Sequence, residues 1–132
     1  VKGDVTSEEA PLVRVHINRS ARDLLAMESE SGFNTWSFHK AMAAIAKEGR
    51  GALVLLYYPE SAEDIDQSIE MILNPSSGKT QTAGDVVYQQ VGTGSQILMD
   101  LGVHKMRLMS APFKFTGISG FDLEVVEYVD CE

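Results

Sequence analysis

The sequence has a single cysteine, only four prolines and no apolar run of the roughly 18 residues that a membrane-spanning helix needs. One cysteine excludes an internal disulfide, so Cys131 is expected to be a free thiol in a reducing compartment. The first residues also lack the apolar stretch of a signal peptide. We therefore expect a cytoplasmic protein with no membrane partner.

Basic residues are scarce as well. Lys and Arg number 11 against 19 Asp and Glu, which gives a formal net charge of −8. A protein that binds nucleic acid needs the opposite surplus, so nucleic acid is not an expected partner. The acids cluster in Pro59–Leu73 and Asp122–Glu132, and solubility charge is favoured over a cation site for both clusters.

The composition is that of one folded domain. Of the 132 residues, 44% are hydrophobic and 23% are charged. A chain of this length buries roughly two-thirds of the surface that its unfolded form exposes, so a core can hold it without cross-links. We expect a single domain over residues 1–132.

Hydrophobic periodicity predicts strands that alternate with helices. Strands are predicted at Leu12–Ile17, Ala52–Tyr58, Lys105–Met109 and Leu123–Val129. Helices are predicted from a cap at Asn34 or Ser37 to Gly49, from a Ser61/Asp64 capping box to Leu73, and over Val91–Leu101. Asn18–Ser31 fits a short helix or a turn, and Ser76–Gly84 and Ala111–Gly120 read as loops. The continuous apolar run in the second strand predicts cover on both of its faces. The expected fold is α/β, with a mixed β-sheet and flanking helices.

Local motifs indicate little chemistry by themselves. Gly78-Lys79-Thr80 lacks the first glycine of a phosphate-binding loop. Gly92-Thr93-Gly94 is predicted to open a helix and could face an anion, although a packing or turn role is favoured. His16, His39 and His104 lie on three different elements and are expected to be ordinary histidines rather than metal ligands.

Six longer motifs follow one another in order along the chain. They are Pro11-Leu12-Val13-Arg14-Val15-His16, Glu48-Gly49-Arg50-Gly51, Gly92-Thr93-Gly94-Ser95-Gln96-Ile97-Leu98, Asp100-Leu101-Gly102-Val103, Lys105-Met106-Arg107-Leu108, and Gly120-Phe121 with Leu123-Glu124-Val125-Val126-Glu127. Together they resemble one enzyme family, GTP cyclohydrolase II. The resemblance implies an enzyme of riboflavin synthesis that opens the imidazole ring of GTP and releases formate and pyrophosphate. It also implies a zinc-activated water, a magnesium-bound triphosphate and a homodimer.

The residues that the resemblance assigns to zinc are replaced in this chain. Arg19 stands where the first of three cysteine ligands is expected, and Ser29 and Ser31 stand where a Cys-x-Cys turn is expected. A serine hydroxyl stays protonated near neutral pH, and an arginine would bring a positive charge beside the cation. We therefore expect neither zinc nor magnesium, and no other cofactor.

Other positions of the implied active site differ too. The family's Gln-Glu-Gly-Arg-Gly matches Pro59-Glu60-Ser61-Ala62-Glu63, and its catalytic Asp-x-Arg matches Val87-Tyr88-Gln89. No catalytic residue is expected here. Vestigial substrate contacts are predicted at Glu60, Gly92, Gly94 and Lys114.

The resemblance also implies that this domain is part of a longer protein. Val1–Val5 is similar to an internal hairpin, which implies an upstream fusion to 3,4-dihydroxy-2-butanone 4-phosphate synthase. The favoured interpretation is a non-catalytic structural or regulatory domain of such a protein. The alternatives are a GTP cyclohydrolase that works without the zinc cysteines, and a module that senses a nucleotide or a flavin.

Overall fold

Four strands and three helices alternate in the computed structural model, which describes residues 1–24, 36–74, 83–109 and 122–131. In chain order they are β1 (Leu12–Ile17), α1 (Phe38–Glu48), β2 (Gly51–Leu56), α2 (Ala62–Leu73), α3 (Ala83–Asp100), β3 (Lys105–Met109) and β4 (Glu124–Val129). A single turn of π-helix, Ser20–Leu24, follows β1 and is called the π turn below. The predicted loop Ala111–Gly120 lies outside the described residues.

The strands form one sheet in the order β2-β1-β3-β4, which confirms the predicted α/β class. The sheet differs from the expected mixed one, because all three strand pairs are parallel. Helical crossovers explain the first two connections: α1 joins β1 to β2, and α2 and α3 join β2 to β3, so these strands run in the same direction. Most of the connection from β3 to β4 lies outside the described residues. Among the described residues, antiparallel pairing is confined to an isolated bridge between Lys2 and Gly51.

The helices α1 and α3 cover opposite faces of the sheet. Alternate β1 side chains divide between them: Leu12 packs with Ile45 of α1, whereas Val13 packs with Leu98 of α3. Gly94 brings α3 close to β1, because a Cβ atom there would lie 2.9 Å from Cγ1 of Val15. Helix α3 begins at Ala83, earlier than predicted, so Gly92 and Gly94 lie inside it.

The expectation that β2 is covered on both faces is wrong at its carboxyl end. Leu55 keeps 47% of its surface exposed, and Tyr57 and Tyr58 beyond it are exposed too. The reason is topological, since β2 is an edge strand and only Leu53 on that face packs against the α1 cluster. The apolar run therefore reflects an edge strand with one buried face, formed by Ala52, Val54 and Leu56.

The predicted helix ends are confirmed where caps specify them. The Ser37 hydroxyl accepts the Lys40 N–H at the start of α1, and Gly49 ends that helix with φ of 82°. Ser61 and Asp64 form the predicted capping box of α2, which buries none of its residues. Within the described ranges, no helix is both long and apolar enough to cross a membrane.

Candidate functional site

The carboxyl ends of the strands are the natural place for a site in this sheet. Ligands of open α/β sheets bind where the strand order reverses. Here β1 has β2 on one side and β3 on the other, so the order reverses between β1 and β3. The residues directly after β3 lie outside the described ranges, so the described candidate residues lie after β1 and after its other neighbour, β2.

A buried His–Asp pair lies just after β1. His16 Nε2 and Asp23 Oδ1 are 2.9 Å apart, and the two side chains are 2% and 6% exposed. The other Asp23 oxygen, Oδ2, accepts the backbone N–H of Arg19 at 2.8 Å. A third donor, the Phe38 N–H at the start of α1, is 3.5 Å from Oδ1. The carboxylate thus joins β1, the π turn and α1.

Arg14 extends this network toward the middle of the sheet. Its Nη1 donates to the Met109 carbonyl at the end of β3, at 2.9 Å, and its Nη2 donates to the Trp36 carbonyl at 3.2 Å. The same Nη2 lies 3.5 Å from His16 Nδ1. Because a guanidinium can only donate, Nδ1 of His16 accepts, and the imidazole proton on Nε2 is donated to Asp23.

Glu60 links the end of β2 to the π turn. Its Oε1 accepts the Ser20 N–H at 3.0 Å, while the buried Oε2 has no hydrogen-bond partner among the described residues. Directly after it, the Ser61 N–H donates to Asp64 Oδ2 and the Asp64 N–H donates to the Ser61 hydroxyl. This part of the candidate site is the capped first turn of α2.

The electrostatics of the site favour carboxylates in their ionised form. Burial by itself raises the pKa of Asp23, but the hydrogen bonds from the Arg19 amide and from His16 outweigh it and lower that pKa below its ordinary value. Hydrogen bonds from Ser61 lower the pKa of Asp64, and the charge of Arg19 adds to the effect. In the sequence of these two segments, Arg19 and Arg22 are basic, whereas Asp23, Glu60, Glu63 and Asp64 are acidic.

The predicted substrate contacts that the structure describes lie on different elements. Glu60 lies at the end of β2, whereas Gly92 and Gly94 lie inside α3, where helical hydrogen bonding occupies their N–H groups. The prediction that these glycines open a helix is wrong. Gly94 instead lets α3 pack closely against Val15. Lys114 lies outside the described residues, so a substrate role for these residues stays a prediction.

The motifs found along the chain match a known family throughout. The sequence profile of GTP cyclohydrolase II matches residues 1–130. This chain belongs to the GTP cyclohydrolase II family.

Those relatives are longer proteins. A 3,4-dihydroxy-2-butanone 4-phosphate synthase of Pseudomonas aeruginosa is 44% identical over 133 residues, which cover 98% of this chain and 34% of that protein. A riboflavin biosynthesis protein RibBA of Chlorobium phaeovibrioides is 37% identical over 140 residues, which cover 100% of this chain and 33% of that protein. The chain spans about a third of the length of the relatives it matches.

A solved structure gives the same relationship. The crystal structure of RibBX, a two-domain 3,4-dihydroxy-2-butanone 4-phosphate synthase from A. baumannii, matches with a TM-score of 0.58 and 35% identity. The match covers 97% of this chain and 30% of that one. The fold described above is therefore shared with part of a two-domain synthase.

The residues present do not fit the zinc ion that the family resemblance implies. Arg19, at the first ligand position, is exposed, and its guanidinium has no lone pair to give to a cation. Ser29 and Ser31 lie outside the described residues, and their hydroxyls are weak substitutes for thiolates. Within the described ranges, no group of three His, Cys, Asp or Glu side chains could hold a metal.

Sequence reasoning missed Asp23 entirely and treated His16 as an ordinary histidine. His16 is buried and hydrogen-bonded to Asp23. Its partner is seven residues away, across the end of a strand and a turn of π-helix, and no periodic pattern predicts that contact. The available signal was an acidic residue shortly after a strand that carries a buried histidine.

Proposed function

We propose that this domain is a non-catalytic member of its family, with a structural or regulatory role in a longer 3,4-dihydroxy-2-butanone 4-phosphate synthase. The observation that carries the proposal is the capping box at Ser61 and Asp64. The family resemblance places a cationic phosphate-binding segment at Pro59–Glu63, and in this chain that segment starts an acidic helix. The donors that would hold a triphosphate there are absent from the sequence.

Charge supports the same proposal. A nucleoside triphosphate carries several negative charges and needs Arg, Lys or a metal ion to offset them. The segments that follow β1 and β2 carry two arginines, Arg19 and Arg22, against the four carboxylates of Asp23, Glu60, Glu63 and Asp64. Since Glu60 already accepts the Ser20 N–H through Oε1, its described role is to hold the π turn.

Two measurements on the purified protein test the proposal. We expect elemental analysis after dialysis to find no stoichiometric zinc, and formate release from GTP to stay at the rate without enzyme. A zinc-bound water has its pKa lowered from 15.7 to about 7, and a chain without zinc lacks that nucleophile. One zinc per chain, or formate release that Lys114→Ala abolishes, would contradict a non-catalytic role.

A restoration variant separates loss of zinc from loss of the whole site. Arg19→Cys, Ser29→Cys and Ser31→Cys combined would return the three thiolates. We expect this variant to remain inactive on GTP, because Val87-Tyr88-Gln89 still replaces the catalytic Asp-x-Arg. Recovery of formate release by the three cysteines alone would show that the rest of the site is intact.

A further inference from the structure

The segment between β1 and α1 needs an anchor if it is to be held without a metal ion. The family resemblance places all three zinc ligands in that segment, and Arg19, Ser29 and Ser31 replace them. Both of its described ends are nevertheless tied to the rest of the domain. At its far end, the Trp36 indole donates to the Val129 carbonyl at 2.8 Å.

Asp23 is the anchor at the near end. Its carboxylate faces one group from each neighbouring element: the His16 imidazole on β1, the Arg19 N–H before the π turn, and the Phe38 N–H on α1. All three are hydrogen-bond donors. The Phe38 N–H is one of the four amides that a helix N-terminus leaves without an intrahelical partner, and a carboxylate there also meets the positive end of the helix dipole.

His16 holds that carboxylate in place. Its ring is buried, with its centroid 6.0 Å from that of Phe38 and its Nδ1 turned to Arg14. Arg14 in turn reaches the end of β3 and the Trp36 carbonyl. The chain from Arg14 through His16 to Asp23 thus connects both described ends of the segment to β1.

We propose that Asp23 is a metal-independent clamp that holds the π turn against β1 and the start of α1, through His16 and the Arg19 amide. The inference rests on the proposed absence of zinc. It goes further, because it names the group that fixes this end of the domain. Since the clamp is made of protein groups alone, neither a chelator nor added zinc should alter it.

Hydrogen exchange of individual amides tests the clamp directly. Arg19 is an exposed residue whose N–H donates to Asp23, so its exchange reports on that contact. In Asp23→Asn we expect the Arg19 amide to exchange roughly tenfold to a hundredfold faster, as loss of a hydrogen bond to a charged group implies. Asp66→Asn, the same change at an exposed position on α2, is the matched control and should leave this rate unchanged.

Two His16 variants separate the clamp from simple packing. His16→Gln keeps a side-chain N–H that can reach Asp23, whereas His16→Leu fills the space without a donor. We expect the Arg19 amide to stay protected in His16→Gln and to lose protection in His16→Leu. Equal exchange in both variants would assign His16 a packing role and would overturn the clamp.

The remaining outcomes distinguish this inference from the proposed function. Unchanged Arg19 exchange in Asp23→Asn would overturn the clamp, and the absence of zinc would still stand on elemental analysis. A melting temperature of the unmodified protein that rises with added zinc, or falls with a chelator, would overturn metal independence. If formate is released while Asp23→Asn still exposes the Arg19 amide, the non-catalytic role fails and the clamp survives.

Discussion

Asp23 combines two properties that seldom occur together in one side chain, near-complete burial and a lowered pKa. Its side chain is 6% exposed, which by itself would favour the neutral acid. The donors around it reverse that preference and make the ionised form the one that the fold stabilises. A buried carboxylate of this kind gives the domain a defined dependence on acidity.

The first prediction concerns that dependence. The pKa of Asp23 lies lower in the folded chain than its value of about 3.9 in an unfolded one, so its contribution is complete above that value. Stability should fall as the pH drops from about 4 through the folded pKa, because the unfolded chain binds the proton first. Urea unfolding across this range should show a shallower acid slope for Asp23→Asn. Parallel slopes in the two proteins would contradict the prediction.

The two glycines of α3 allow a second prediction with an internal control. A Cβ at Gly94 meets both methyl groups of Val15, at 2.9 and 3.0 Å, whereas one at Gly92 meets nothing within 4 Å. Gly94→Ala should cost about 1–3 kcal/mol through overpacking. Gly92→Ala should gain up to about 1 kcal/mol, because alanine favours helix more than glycine does. Chemical denaturation measures both changes.

A second substitution at Val15, which removes the steric clash, completes this test. The double variant Gly94→Ala with Val15→Ala removes the clashing methyl groups and should recover part of the loss. A Gly94→Ala protein as stable as the unmodified one would mean that α3 can move away from β1 at no cost. It would also remove the packing reason for glycine at this position.

At the scale of elements, the sequence predicted what is coded locally. Ser37, Gly49 and the Ser61/Asp64 pair marked helix ends, because a cap depends on residues three or four positions apart. Sequence patterns did not predict features that depend on residues far apart in the chain. The exposure of Leu55 follows from β2 lying at the sheet edge, and the contact of Asp23 with His16 follows from a turn of π-helix.

Helix α2 supplies the third prediction. It buries none of its residues, so its ends depend more on local capping than on the core. Ser61→Ala should cost the helix about 1 kcal/mol, as loss of a serine cap typically does. Faster hydrogen exchange of the first-turn amides of α2 would report it. Ser68→Ala is the control, since that hydroxyl donates to the Asp64 carbonyl within the helix and caps nothing.

At the scale of the whole molecule, the family match and the net charge together bear on how the domain could contact a partner. The match runs over residues 1–130, and the sheet and its core were largely predictable from the strand and helix patterns. If the domain is non-catalytic, as proposed above, its retained core pattern fits a domain kept for assembly. Such a domain needs a contact surface, and its net charge of −8 limits where that surface can lie.

The last prediction is that the domain self-associates through an apolar surface that contains no acidic side chains. Exposed apolar side chains outside the two acid clusters are available, among them Met42, Leu55, Tyr57 and Ile97. Two chains of charge −8 repel, and raising salt from about 10 to about 150 mM shortens the screening length from about 30 to about 8 Å. Sedimentation equilibrium at micromolar concentration should therefore show association that strengthens with salt. Association that weakens with salt would indicate ion pairs instead, and a strict monomer at every salt concentration would leave the assembly role without support.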